Sequence, residues 1–370
     1  MLLYERNGGI VMKIDWFRKE FKDKYHSLCK LYLKETDDIK RKEILETINI
    51  LKICLTKDKY IDDINTIIEN DYLYLTETPF IWPYIIKMAN IDVKYIDKDM
   101  DKDIKFSNKK LIELLNIFFK NGTNKEIYDA FNKIYKDNKK NIHIIDAKKD
   151  FYAGETIYLD YYKKYYIQVF KSNTFDDLTT LAHEFGHAIQ CYKNYHISAF
   201  GQLNVYIELI SVFFELLCNE YFTKGKLKDI AINTSYDNLL INLDCASILK
   251  YEFMLLNEIK IDKHENKFKL RDNIDDLVSE FSQDEIDNYI NLNPSGQYIY
   301  TFAYLVASNL LMIYRKDPDL AFYLVNRIIN LFGNRSCESY LHELKKLDLV
   351  DTTKTKEYSE LVYKRCRNLK

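Results

Sequence analysis

Apolar residues recur three and four apart over most of this chain, the period of helices that bury one stripe. "KRKEILETINILKICL" (40–55) is one such stretch, and the segment from 13 to 75 predicts helices with charged outer faces. "TETPFIWPYII" (76–86) holds two of the four prolines and predicts a break or connection. The charge-rich "IDVKYIDKDMDKDIKF" (91–106) predicts an exposed loop. Helical spacing resumes in "NKKLIELLNIFFKNG" and stops at Gly122, read as a C-cap. From about 140 the period changes. "NIHIIDAKKDFYAGETIYLDYYKKYYIQVF" is β-branched and aromatic, with turn residues between, and predicts short strands. "SNTFDD" then opens a helix, with Thr174 as N-cap and Asp177 three residues on, and helical pattern continues to the end.

Composition sharpens the fold class. Only nine glycines and four prolines serve 370 residues, too few for the many turns of a sandwich or barrel. A net charge of −2 offers no electrostatic case for nucleic acid or an anionic membrane. No apolar run is long enough to span a bilayer, and the opening residues lack a secretory pattern; Met12 is an alternative start. Seven scattered cysteines without a CxxC pair fit reduced thiols in the cytoplasm. A mostly α, cytoplasmic, monomeric protein is the expectation.

One stretch carries chemistry. In "TLAHEFGHAIQ" (180–190), His183 and His187 stand four apart, on one helix face and about 6 Å from each other. Two imidazoles so placed suit a tetrahedral zinc, and Glu184 beside the first can reach a water there. The competing reading is a helix with two polar residues on one side. Apolar neighbours Leu181, Ala182, Phe185, Ala188 and Ile189 would bury both histidines, which favours a cation between them. Gly186, costly inside a helix, asks for a close approach by another backbone or a substrate. In "LHELKKL", His342-Glu343 lacks a second histidine and predicts an ordinary helix face. A third ligand is needed. Lys193 occupies the position ten residues after His183 where metzincins place a histidine, and His196 fits no such spacing. Glu208, in the apolar "NVYIELISVFFELLCNEYF", is the better candidate. Glu215, seven residues later on the same face, orients a ligand histidine or pairs with a buried Lys or Arg.

"YYIQVFKSNTFDDLTTLAHEFGHAIQCY", followed by "IELISVFFELL", resembles the oligoendopeptidase F and thimet oligopeptidase group of zinc metallopeptidases over roughly residues 105–330. The resemblance implies one Zn2+ per chain on His183, His187 and Glu208, with Glu184 as general base and Glu215 matching a second conserved-pattern glutamate. It implies two helical lobes around a substrate channel, with a small β-sheet next to the motif helix. Residues 1–104 would be a reduced N-terminal lobe and 105–370 the catalytic region. Short peptides would lie extended along Tyr165–Phe170, touching Tyr166 and Gln168. In "NPSGQYIYTFAYLVASNLLMIY", Tyr304 would steady the oxyanion, with Tyr300 and Tyr298 as further contacts. The family's histidine just upstream is absent; "LNPSGQ" stands there, so either Gln297 substitutes or that contact is lost. A non-catalytic zinc- or peptide-binding relative and a metallocarboxypeptidase with the same ligands are the alternatives.

Overall fold

The computed structural model describes residues 15–56, 81–96, 104–146, 154–194, 204–258, 294–331 and 337–369. Among them are twelve α-helices and one three-stranded sheet, so the chain is mostly α. Two N-terminal helices, α1 (Asp15–Tyr32) and α2 (Asp38–Thr56), pack on each other. A short α3 (Trp82–Met88) carries Pro83 in its first turn, where the missing N–H costs nothing. Residues 91–96 form no regular element, as expected, and are tied down where Ile96 N donates to the Tyr236 hydroxyl.

Side-chain caps start the next two helices. The Ser107 hydroxyl accepts from Lys110 N at α4 (Asn108–Gly122), and Asn124 accepts from Ile127 N at α5 (Lys125–Asn138). The helix stops at Gly122 as the spacing suggests, but Gly122 is its last helical residue and Thr123 is the cap. The strands follow as β1 (Ile142–Asp146), β2 (Gly154–Leu159) and β3 (Lys164–Lys171). They are ordered β1-β3-β2, with β3 parallel to β1 and antiparallel to β2. The expectation of a peptide lying along Tyr165–Phe170 is corrected here. That strand is central, and its backbone is hydrogen-bonded on both sides, so it has no free edge to offer.

Alternation along the sheet gives it two cores. Tyr158, Tyr165, Ile167 and Val169 join the large core formed with the long helices. Ile157, Leu159 and Tyr166 turn the other way, onto Phe21, Leu28, Ile44 and Leu51 of α1 and α2. The remaining helices are α6 (Asp176–Lys193), α7 (Asn204–Phe222), α8 (Lys228–Glu258), α9 (Pro294–Tyr314), α10 (Pro318–Leu331), α11 (Cys337–Lys346) and α12 (Thr352–Arg367). Helix α7 lies between α6 and α9 at the centre of the large core. No described helix is long and apolar enough to cross a membrane. Met12, His196 and the side chain of Gln297 lie outside the described residues.

Candidate metal centre

Helix α6 enters from β3 through a tight turn. The Thr174 hydroxyl accepts from Asp176 N, two residues on, and the helix begins at Asp176 rather than at a Thr174 cap. Asp177 reaches back instead, accepting from Ser172 N at 2.7 Å, the Ser172 hydroxyl at 2.9 Å and Asn173 N at 3.1 Å. Those bonds hold Asn173 at a left-handed φ of 62° and fix the angle at which α6 crosses the sheet. From there α6 is buried on nearly every face. It packs on α7 at Gly186, where an added Cβ would stand 2.7 Å from the Ser211 Cα. That contact is the close backbone approach the interior glycine called for.

The approach sets three side-chain atoms around one point. His183 Nε2 lies 3.1 Å from Glu208 Oε2, His187 Nε2 lies 3.2 Å from the same oxygen, and the two Nε2 atoms are 3.2 Å apart. Ligands at about 2.0 Å in a tetrahedral shell stand about 3.3 Å from one another, so this triangle has the size zinc requires. Its electrostatics ask for the same thing. His183 Nδ1 is 3.2 Å from Glu215 Oε2, so its proton belongs on that side and Nε2 turns a lone pair inward. Lone pairs and a carboxylate oxygen facing each other at this range repel unless positive charge lies between them. In a metal-free site a proton on His183 can supply that charge: burial alone would lower its pKa, but Glu208 and Glu215 outweigh burial and raise it to about 10. Against its own burial, Glu208 is held well below the usual carboxylate range by His187 and His183. These three residues are the one group of this kind among the described residues.

Further groups fix the triangle. Glu215 partners His183 Nδ1, and its other oxygen accepts from Asn238 Nδ2 of α8 at 3.0 Å. The Ser211 hydroxyl donates to Glu208, with Oε2 and the backbone oxygen both at 3.0 Å. Neither Asn238 nor Ser211 stands out in the sequence; Ser211 sits one turn after Glu208, the only hint available.

Glu184 is buried between α6 and strand β2, where the Thr156 hydroxyl lies 2.7 Å from its Oε2. Burial pushes its carboxyl above the ordinary range, against the pull of His183, His187 and that hydrogen bond. The tyrosines separate. The Tyr300 ring lies along the His183 ring, with centroids 6.4 Å apart and planes 28° apart. Tyr298 stacks on Trp82 and is buried. Tyr304 is fully buried against Tyr358, and its hydroxyl has neither solvent nor a hydrogen-bond partner. Tyr166 and Gln168 point away from α6 into the smaller core: Tyr166 donates to Glu20 at 2.6 Å, and Gln168 is 3% exposed. As side chains they are not brought to the histidines, because residues at even positions of β3 share its far face. His342 is exposed on α11, an ordinary helix position.

No protein-family model matches the chain, and no curated protein matches it in sequence. Solved structures do. A Bacillus anthracis protein described as an oligoendopeptidase F superposes on 88% of this chain with TM-score 0.51 at 14% identity. PZ peptidase A, solved with an inhibitor, covers 88% with TM-score 0.50 at 12% identity. Another structure described as an oligoendopeptidase F covers 94% with TM-score 0.52 at 15% identity. The chain spans 59%, 65% and 66% of those proteins respectively. At such identities the likeness is one of architecture: this chain has the fold of the oligoendopeptidase F structures.

Proposed function

We propose that this chain is a zinc-dependent peptidase acting on short unfolded peptides, with one metal ion held by His183, His187 and Glu208. The observation that carries the reading is the 3.1–3.2 Å triangle of ligand atoms with a buried carboxylate next to it, in a fold shared with proteins named as peptidases. Bound zinc supplies a Lewis acid for the scissile carbonyl and lowers the pKa of water at the site. Glu184 takes the proton of the attacking water and returns it to the leaving amine; its raised pKa brings the carboxyl nearer to that of a group that must both accept and release a proton. Glu215, steadied by Asn238, keeps the His183 proton on Nδ1 and the ring in line.

Tyr300 would donate to the carbonyl oxygen as charge develops there, a reading supported by its ring flanking His183 while the Tyr304 hydroxyl is enclosed. A peptide backbone would add to the edge of β2 that faces away from β3. All of these residues fall between 154 and 300, in keeping with a catalytic region from 105 onward and an N-terminal region that is a smaller lobe.

The test is metal analysis together with digestion of a mixed peptide library read by mass spectrometry. Purified chain should hold about one zinc and make internal cuts in short peptides. Glu184→Gln should keep the metal and lose cleavage by at least about 100-fold. Parental turnover by the Glu184 variant would end the mechanism; release of single C-terminal residues would make the chain a carboxypeptidase; zinc without turnover would make it a binding protein.

A further inference from the structure

A glutamate on a helix has three rotatable bonds, and nothing in α6 itself determines where the Glu184 carboxylate points. The determinant lies across the interface, on strand β2. The Thr156 hydroxyl stands 2.7 Å from Glu184 Oε2 and 2.9 Å from the Glu184 backbone oxygen, so a single short side chain spans both ends of the residue. Two positions earlier on the same face of the strand is Gly154. A Cβ there would fall 2.3 Å from Glu184 Oε1, 2.5 Å from Cγ and 2.7 Å from Cδ. The carboxylate therefore occupies the volume that any other residue at 154 would fill. The strand is itself fixed, since Gly154 is paired with Val169 and Thr156 with Ile167 of the central strand.

We propose that β2 aims the general base: the Thr156 hydroxyl holds one oxygen of Glu184, and the bare backbone of Gly154 makes the slot for the other. Thr156 and Gly154 are positioning residues, acting through Glu184 and not on the substrate. The inference rests on the peptidase reading above for its meaning, though not for its geometry. The same hold would keep a carboxylate next to a site for a divalent cation from becoming a fourth ligand. A Glu184 drawn onto the ion could no longer take a proton from water, and the strand holds it back.

Three variants test the proposal: Thr156→Val, which keeps shape and strand propensity while removing the donor; Thr156→Ser, which restores it; and Gly154→Ala. Each is assayed for zinc content, for kcat and KM on a cleaved peptide, and by crystallography for the Glu184 rotamer. Thr156→Val should lower kcat on the order of 10- to 100-fold with KM within about twofold, and Thr156→Ser should recover most of it. In Gly154→Ala the flexible carboxylate yields before the backbone does, so the crystal structure should show it displaced by about 1 Å or more, with zinc content unchanged. A merely structural hydroxyl would give a lower Tm with parental kcat and an unmoved Glu184, and that result overturns the proposal. If the zinc-loaded parent cleaves no peptide, the peptidase reading fails. The rotamer still decides this inference: displaced in both the Val and Ala variants supports it, unmoved overturns it.

Discussion

Replacing Gly186 with alanine tests whether the proposed metal site is built by the approach of two helices. A Cβ at 186 would lie 2.7 Å from the Ser211 Cα, 3.3 Å from its Cβ and 3.2 Å from Phe214 Cδ2. The first of these is backbone and cannot swing aside. Carbon atoms rest at about 3.5–4.0 Å, so α7 must retreat locally by roughly 1 Å. Glu208 lies one turn before Ser211 on that helix, while both histidines stay with α6. Metal–ligand distances tolerate about 0.2 Å, far less than the displacement. Zinc affinity should therefore fall on the order of 10- to 100-fold, comparable to losing an orienting partner. Stability should change much less. Overpacking costs about 1–3 kcal/mol, and alanine in a helix returns about 1 kcal/mol. Competition titration against a chromophoric chelator reads the affinity, and thermal unfolding with and without zinc reads the stability. A variant with parental affinity and a raised Tm would mean that the glycine has no part in setting the triangle.

Other predictions follow from neighbouring features. Glu215→Ala removes the partner of His183 Nδ1 and should weaken zinc binding about 10- to 100-fold by the same titration; unchanged affinity would mean the ring needs no holding. Glu220→Ala leaves Arg315 and Arg365 without their shared buried carboxylate, and with both guanidiniums partly solvated the cost should be about 2 kcal/mol in urea unfolding. A loss below about 0.5 kcal/mol would make that cluster incidental. Burial pushes the Cys191 and Cys245 thiols up to about 12, so iodoacetamide at pH 8 should label Cys29 and leave both untouched in peptide maps. Because those pKa values are raised on folding, their contribution to stability is complete below about 9 and is lost as pH climbs towards 12. Rapid labelling of Cys191 in folded protein would contradict its burial.

What the sequence reveals and hides follows from the range of each interaction. His183, His187 and Glu184 are legible because a helix fixes their relation within one turn, whatever surrounds it. Glu208 is legible for a different reason: a lone carboxylate among Leu209, Ile210, Val212 and Phe213 has to meet a cation. Gly186 announces a close approach but not the residue that makes it. Strand order is not legible, since β1 and β3 are parallel partners joined through β2, and no local pattern says which of three short strands is central. That is why Tyr166 and Gln168 pass for peptide contacts in the sequence. Nor does helical spacing rank Tyr298, Tyr300 and Tyr304, which lie within two turns of α9 and end in a stack, beside a histidine and in the core. Thr156 could have been suspected from a glycine two residues away inside a strand, which marks something pressing close.

The sheet is thin, and its reverse side is closed by α1 and α2 through Ile157, Leu159 and Tyr166 against Phe21, Ile44 and Leu51. The N-terminal hairpin is thus a splint for the strand that borders the histidine–glutamate cluster. Trimming it away would expose greasy backing and let β2 flex, so damage at residue 21 or 44 would be felt as a wandering glutamate on the opposite side.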